Sequence, residues 1–148
     1  MISTDALPVR RLDPRARLPE RGRDGDAGYD LACLEGFALA PGERRTVPTG
    51  IALALPPGVA GLVLPRSGLA ARHGVTTLNA PGLIDPNYRG ECRVVLHNAG
   101  RETYVARAGD RIAQLLLVPY LALPLEAVDE LPPAPDDRGE NGFGSSGR

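Results

Sequence analysis

Glycine and proline interrupt this chain so often that it has little room for long helices. The 148 residues include 18 Gly and 15 Pro, and proline inside a helix removes a backbone hydrogen bond and clashes with the preceding turn. Short runs rich in β-branched and apolar residues lie between these breakers, and we predict strands at 44–55, 61–64, 92–97, 103–107 and 112–120. One short helix is predicted at 67–73. Many short strands at close spacing are typical of an all-β antiparallel sandwich or barrel.

Length and charge limit the possible partners. A chain of 148 residues has enough material for one domain with a real core. The formal net charge of −1 gives no general affinity for polyanions, so we expect no nucleic-acid partner. Residues 1–14 lack the apolar segment of a signal peptide, and the longest apolar run, 115–125, is interrupted by prolines and too short to span a bilayer. We therefore expect a soluble, cytoplasmic protein without a membrane partner.

The cysteines and histidines show no spacing typical of a metal site. Cys33 and Cys92 form neither a CxxC pair nor a His/Cys cluster, and His73 and His97 stand apart from both. Two free, buried thiols are expected in a reduced cytoplasm rather than a disulfide. We expect both histidines to be structural.

The composition changes after residue 130. Residues 132–137 form a proline-rich polar spacer, and the remainder is rich in Gly and Ser. Such a segment cannot bury enough apolar surface to order itself. We predict a folded domain over 1–130 and a flexible tail over 131–148, which is disordered in the free protein and becomes ordered only over a ligand.

Residues 79–91 (NAPGLIDPNYRGE) place a carboxylate and an aromatic ring three residues apart, shortly after an amide. Asp85 can orient a water molecule, Tyr88 offers a flat face to a sugar or base, and Asn79 can read a base edge as both donor and acceptor. The same residues also suit a type I turn with Asp at its first position and Pro at its second. This segment alone does not decide between a site and a turn.

Five segments together resemble the motifs of the trimeric dUTPases, which hydrolyse dUTP to dUMP and pyrophosphate. In chain order they are 27–31 (AGYDL), 65–70 (PRSGLA), the segment 79–91 just described, 109–115 (GDRIAQL) and 138–147 (RGENGFGSSG). Each is weak alone, but five in the right order span nearly the whole chain from Ala27. The resemblance implies a jelly-roll-like β-barrel of the dUTPase-like β-clip type, which agrees with the strand pattern.

Two of these segments carry donors suited to a polyphosphate. Arg66, Ser67 and Gly68 offer a guanidinium, a hydroxyl and an unhindered backbone N–H where the short helix begins, a favourable place for anions. The resemblance implies that they hold the α- and β-phosphates and that Gln114 joins them. The alternative for Gln114 is a buried amide satisfied by the backbone.

The tail supplies a second set of groups. Arg138 offers a charge, while Gly144, Ser145 and Ser146 offer hydroxyls and backbone N–H groups. This is not a Walker A motif, because it has no Lys, no preceding strand and no following helix. The resemblance implies γ-phosphate binding here, with Phe143 stacked over the uracil ring.

Base and sugar selection would fall to the hairpin of the third motif. By resemblance, the Asn79 amide and the backbone around Leu83 and Ile84 pair with the uracil edge and leave no room for a thymine methyl. Tyr88 would pack on deoxyribose where a ribose 2′-hydroxyl would clash.

Asp85 is the candidate general base for water attack on the α-phosphorus, with pyrophosphate leaving. Mg²⁺ should bridge the phosphates, because it prefers hard oxygen ligands and keeps several waters. Asp30 either helps through a metal-bound water or supports the fold. By resemblance the active protein is a homotrimer in which each site draws on three chains. Its activity would limit uracil in DNA and supply dUMP for dTTP synthesis.

Two other functions remain to be weighed. A dCTP deaminase shares this fold, but deaminases of that kind carry a Glu in the strand after the third motif, where this chain has Val95, and tend to have Phe where Tyr88 stands. A non-catalytic nucleotide-binding protein is the second alternative, and the presence of Asp85 and of the tail motif argues against it.

Overall fold

The computed structural model describes residues 6–145 and 147. In this part of the chain, eleven strands accompany one short helix. In chain order they are β1 (Val9–Arg11), β2 (Tyr29–Ala32), β3 (Phe37–Leu39), β4 (Arg44–Pro48), β5 (Ile51–Leu53), β6 (Val59–Leu64), α1 (Ser67–His73), β7 (Val75–Thr77), β8 (Gly82–Ile84), β9 (Arg93–Asn98), β10 (Tyr104–Ala106) and β11 (Arg111–Pro119).

All strand pairs are antiparallel. The largest sheet has the order β2-β11-β6-β8, and a second has the order β4-β9-β7. Two smaller pairs join β1 with β5 and β10 with β3. The nine-residue β11 lies at the centre of the largest sheet and contacts β6 along most of its length. This sheet positions four of the five motifs described above.

One apolar core fills the space between the sheets. Its most deeply buried side chains come from both large sheets and from the strands at their edges: Leu31, Leu39, Ile51, Leu96, Ile112 and Leu115. The side chains of β9 alternate between exposed or half-buried and fully buried positions, as a strand with one face on a core requires.

The predicted strand at 44–55 is two strands, and this part of the prediction was wrong. Gly50 has a φ of 73°, a left-handed conformation that turns the chain between β4 and β5. β4 then pairs with β9, whereas β5 pairs with β1. A Cβ at position 50 would lie 2.9 Å from that of Ala16, so packing also favours glycine at this corner.

The predicted helix is confirmed as α1. Arg66 precedes it in an extended conformation, and Gly74 ends it in a left-handed one with a φ of 67°. Arg72 and His73 occupy the last turn, where positive charge is favourable.

The last strand ends at Pro119, and residues 119–145 are exposed throughout. This segment has no strand or helix within the described residues, although it contains large apolar side chains such as Leu121 and Leu125, which are 87% and 99% exposed. The predicted boundary at residue 130 therefore falls inside a longer exposed segment. The described chain contains no helix with the length and apolar character needed to cross a membrane.

Candidate functional site

Asp30 joins two arginines at one end of the largest sheet. Its carboxylate lies 3.3 Å from Nε of Arg66 and 3.3 Å from Nη1 of Arg111. Arg66 also donates from Nη1 to the backbone carbonyl of Arg111, at 3.1 Å. Asp30 and Arg66 are only about one-fifth and one-quarter exposed, so the pair is partly shielded from solvent. The arrangement fixes the direction of the Arg66 guanidinium and favours a supporting role for Asp30.

Ser67 and Gly68 begin α1 immediately after Arg66. Ser67 is exposed, so its hydroxyl is accessible to a ligand. Gly68 lies against the guanidinium of Arg72, because a Cβ at position 68 would be 2.9 Å from Nη2 of Arg72. Arg72 is thus a second cation beside the first turn of the helix. The sequence analysis missed it, and its spacing of one helical turn from Gly68 was the available signal.

Gln114 lies in β11 beside the same group. Its Nε2 donates to the carbonyl oxygen of Pro65 at 3.0 Å, which agrees with the alternative of an amide satisfied by the backbone. Its Oε1 occupies the space above Gly28, where a Cβ would come within 2.5 Å of it. Gln114 therefore braces the residue that precedes Arg66, and a glycine at position 28 leaves room for it.

The third motif forms a hairpin and turn beside β6. The Tyr88 N–H donates to the carbonyl of Asp85 at 3.1 Å, which closes the turn that Asp85, Pro86 and Asn87 were expected to make. The Asp85 side chain is exposed. A cleft of about 220 Å³ opens beside it, lined by Leu83, Ile84, Asp85, Tyr88, Glu91, Cys92 and Arg93.

Tyr88 is held against this hairpin by its hydroxyl group. The hydroxyl donates to the backbone carbonyl of Glu91 at 3.0 Å, while 46% of the residue stays exposed. Leu83 is also exposed, Ile84 is buried, and Asn79 lies at the open start of the hairpin. The structure brings Leu83, Ile84, Asp85 and Tyr88 to one cleft.

Both cysteines are free and buried, as expected. Burial, with a smaller effect from the Glu91 carboxylate, raises the pKa of Cys92 to about 11. Burial likewise raises the pKa of Cys33. Cys92 therefore lines the Asp85 cleft as a neutral thiol and not as a nucleophile.

The arginine group and the Asp85 cleft lie at opposite ends of one strand pair. β8 pairs with β6 so that Ile84 faces Gly61 and Gly82 faces Val63. Asp85 extends beyond the Gly61 end, whereas Arg66 follows the other end of β6, which stops at Leu64. Gly61 and Leu64 alone are separated by roughly 10 Å at about 3.3 Å per residue. A single chain therefore keeps its Asp85 apart from its Arg66.

The described tail residues contact neither group. Phe143 is fully exposed and has a φ of 51°. Arg138 makes only local bonds, from its backbone N–H to Asp136 at 3.0 Å and from Nε to the carbonyl of Asn141 at 3.3 Å. Gly144 and Ser145 are exposed as well, and Ser146 lies outside the described residues.

Acidic and other metal-binding side chains do not cluster in the part of the chain that the structure describes. No group of three or more His, Cys, Asp or Glu residues there could hold a metal ion. Asp30 has both oxygens engaged by arginines. This donor set suits an ion held mainly by substrate oxygens and water, as Mg²⁺ commonly is, and does not suit an all-protein cage.

Known proteins with this sequence and fold identify the family. The dUTPase family model matches residues 14–147, which is most of the chain. The chain belongs to the dUTPase family. A deoxyuridine 5'-triphosphate nucleotidohydrolase of Anaeromyxobacter sp. (strain Fw109-5) is 54% identical over 95% of this chain and 96% of its own length. Its counterpart in Solibacter usitatus (strain Ellin6076) is 48% identical over the full length of both chains.

Solved dUTPase structures share the fold. The dUTPase of Staphylococcus bacteriophage 80alpha with dUpNHpp superposes with a TM-score of 0.89 at 31% identity, covering 98% of this chain and all of its own. A dUTPase of phage phi11 of S. aureus, described with a structural Mg(II) ion, gives a TM-score of 0.79 at 29% identity over 86% of this chain and 99% of its own. The expected jelly-roll-like, dUTPase-like fold is confirmed.

Proposed function

We propose that this dUTPase-family protein hydrolyses dUTP to dUMP and pyrophosphate, with Asp85 as the general base. The observation that carries the proposal is the exposed Asp85 carboxylate at the edge of the cleft that also holds Tyr88. The relatives that carry the name deoxyuridine 5'-triphosphate nucleotidohydrolase, at about half identity over nearly the whole chain, support the same reaction.

Asp85 would act on water. Its carboxylate accepts a proton from a water molecule positioned over the cleft, and the oxygen of that water attacks the α-phosphorus. The bond between the α-phosphorus and the bridging oxygen breaks, and pyrophosphate leaves. A general base of this kind contributes about 10²–10⁴-fold, so binding and charge neutralisation must supply most of the acceleration.

The arginine group would supply part of that neutralisation. Asp30 and the Arg111 carbonyl hold the Arg66 guanidinium in one direction, so little reorganisation is needed when phosphate oxygens arrive. Ser67 and Gly68 add a hydroxyl and a backbone N–H, and Gln114 keeps Pro65 in place behind them. Mg²⁺, when bound with the substrate, neutralises phosphate charge, and Asp30 would reach it only through water.

Base and sugar selection would come from the hairpin. The Asn79 amide and the backbone around Leu83 and Ile84 would hydrogen-bond to the uracil edge, and the close fit excludes a thymine methyl. Tyr88 would pack on deoxyribose and exclude a 2′-hydroxyl. In the tail, Phe143 would cover the base while Arg138, Gly144, Ser145 and Ser146 contact the γ-phosphate.

Three chains would build each site. The separation of Asp85 from Arg66 along β6 and β8 supports a site in which these residues come from different chains. The exposed apolar side chains of the segment after Pro119, Leu121, Leu123, Leu125, Val128 and Leu131, support its docking on a neighbouring chain. A homotrimer with cyclic symmetry satisfies both requirements three times over. In the cytoplasm it would limit uracil in DNA and supply dUMP for dTTP synthesis.

A substrate panel tests the proposal. The protein is incubated with Mg²⁺ and, separately, with dUTP, dTTP, dCTP or UTP, and pyrophosphate and the product base are measured. We expect pyrophosphate and dUMP from dUTP, with kcat/KM at least about 10²-fold lower for the other three. Deaminated base from dCTP would identify a deaminase instead, and binding of dUTP without pyrophosphate would indicate a non-catalytic protein.

A further inference from the structure

Gly90 lies beneath the ring of Tyr88. A Cβ placed on Gly90 would be 2.6 Å from Cζ and 3.0 Å from Cε2 of Tyr88, and closer still to its hydroxyl oxygen. Such distances are well inside ordinary contact between carbon atoms. The φ of Gly90 is not in the left-handed region, so the backbone conformation does not itself require glycine. The space that the Tyr88 ring occupies does require it.

The surrounding backbone is fixed on both sides of this contact. Glu91, whose carbonyl accepts from the Tyr88 hydroxyl, is tied by its side chain to Arg93 at 3.2 Å and to the Gly50 N–H at 3.4 Å. Arg89 bonds through Nη1 to the carbonyl oxygens of Pro86 and Tyr88, at 2.6 and 2.9 Å. The hairpin therefore cannot easily move away from an added methyl group.

Tyr88 itself can move, because nearly half of it is exposed. A methyl group on residue 90 would push the ring outward by about 1 Å to restore normal contact and would break the bond to the Glu91 carbonyl. The ring is the group assigned to the deoxyribose, and a misplacement of about 1 Å can cost up to roughly 10²-fold in rate.

We propose that Gly90 is a positioning residue for sugar selection: its missing side chain lets the Tyr88 ring lie against the hairpin at the depth from which it excludes ribose. This inference rests on the proposed function, since it concerns how one group of the same site is placed. Gly90 itself contacts no substrate in this arrangement and acts through Tyr88.

The test is a double-mutant cycle between positions 88 and 90, read on substrate preference. Gly90→Ala, Tyr88→Ala, the double variant and wild type are assayed with dUTP and UTP in the presence of Mg²⁺. Gly25→Ala is the matched control, because a Cβ at Gly25 meets nothing within 4 Å. We expect Gly90→Ala to lower kcat/KM for dUTP and the dUTP-to-UTP preference at least tenfold each, and Gly25→Ala to stay within about twofold.

In the Tyr88→Ala background, Gly90→Ala should have no further effect, because the ring it displaces is gone. An equal loss in both backgrounds would overturn the inference, since the added methyl would then act on the backbone. An unchanged dUTP-to-UTP preference in the single variant would overturn it as well.

Thermal unfolding provides a readout that does not depend on activity. Gly90→Ala should lower Tm in the wild type but not in the Tyr88→Ala background. If Gly90→Ala does not fold, a folded double variant supports the ring contact, and an unfolded one overturns it. Wild type that does not hydrolyse dUTP would remove the proposed function, whereas wild type that prefers dUTP while the cycle shows no coupling would remove this inference alone.

Discussion

Asp85 occupies the first position of a tight turn, and only its backbone is used to close that turn. Its carbonyl accepts the Tyr88 N–H, while no hydrogen bond or ion pair to its carboxylate is found among the described residues. An exposed carboxylate that contributes nothing to the turn can be replaced without loss of structure. It is therefore suited to a test of chemistry alone.

We expect Asp85→Asn to fold and bind nucleotide as the wild type does but to lose about 10²–10⁴-fold in turnover, because an amide cannot accept the proton of the attacking water. The change preserves size and leaves the turn hydrogen bond intact. Pyrophosphate release gives the rate, and binding of a non-hydrolysable dUTP analogue gives the affinity. Turnover close to wild type would remove Asp85 from the mechanism.

Asp30 permits a second test, which separates support of Arg66 from metal binding. Asp30→Ala should lower kcat/KM at least about tenfold, because Arg66 loses the partner that fixes it. Arg111→Ala is the control, since it keeps the Asp30–Arg66 pair and removes only the more exposed arginine. We expect a smaller loss for Arg111→Ala.

The dependence of the rate on Mg²⁺ concentration distinguishes the two roles of Asp30. A supporting residue leaves the half-saturating Mg²⁺ concentration within about twofold of wild type, because it changes only the arginine. A residue that orients a metal-bound water shifts that concentration markedly. A marked shift in Asp30→Ala would contradict the supporting role favoured by the ion pairs.

Strand and turn elements could be predicted from the sequence where local chemistry decides them. The helix 67–73, the turn at Asp85 and four of the five predicted strands follow from proline, glycine and apolar patterning. The break at Gly50 could not be read, because Val, Thr and Ile continue on both sides and the left-handed φ arises from where β4 and β5 find their partners.

Contacts between distant segments were beyond the sequence for the same reason. Asp30, Arg66 and Arg111 meet only because β2 and β6 both pair with β11. The motif resemblance identified each segment, but the ion pairs depend on strand register. The role of Gly90 was likewise hidden, because its φ is not unusual and only the packing of Tyr88 explains it.

The exposed tail gives a prediction at the scale of an element. A chain ending at Glu130 should fold and unfold at nearly the same temperature as the full chain, because residues 131–145 are exposed and contribute no side chain to the core. Its turnover should be severely reduced, by about 10²-fold or more, because the groups proposed for the γ-phosphate and base are gone. Circular dichroism and pyrophosphate release measure the two effects. A large fall in Tm would show that the tail is structural instead.

At the scale of the whole molecule, the proposed shared site can be tested by mixing inactive chains. Asp85→Asn chains and chains ending at Glu130 are each unfolded, combined in equal amounts and reassembled. Under random mixing in a cyclic trimer, about one-quarter of sites receive an intact Asp85 from one chain and an intact tail from another. We expect recovery of about one-quarter of wild-type activity. No recovery in verified mixed trimers would mean that the tail closes over the Asp85 of its own chain.

The opposite placement of Asp85 and Arg66 along one strand pair also has a genetic consequence. In the assembly proposed above, a cell that carries two different defective alleles, one altered at position 85 and the other at position 66, would produce some sites with both residues intact. Two such alleles would complement each other, although neither sustains growth alone. Conversely, a defective chain expressed in excess would enter trimers with normal chains and silence sites to which those chains contribute.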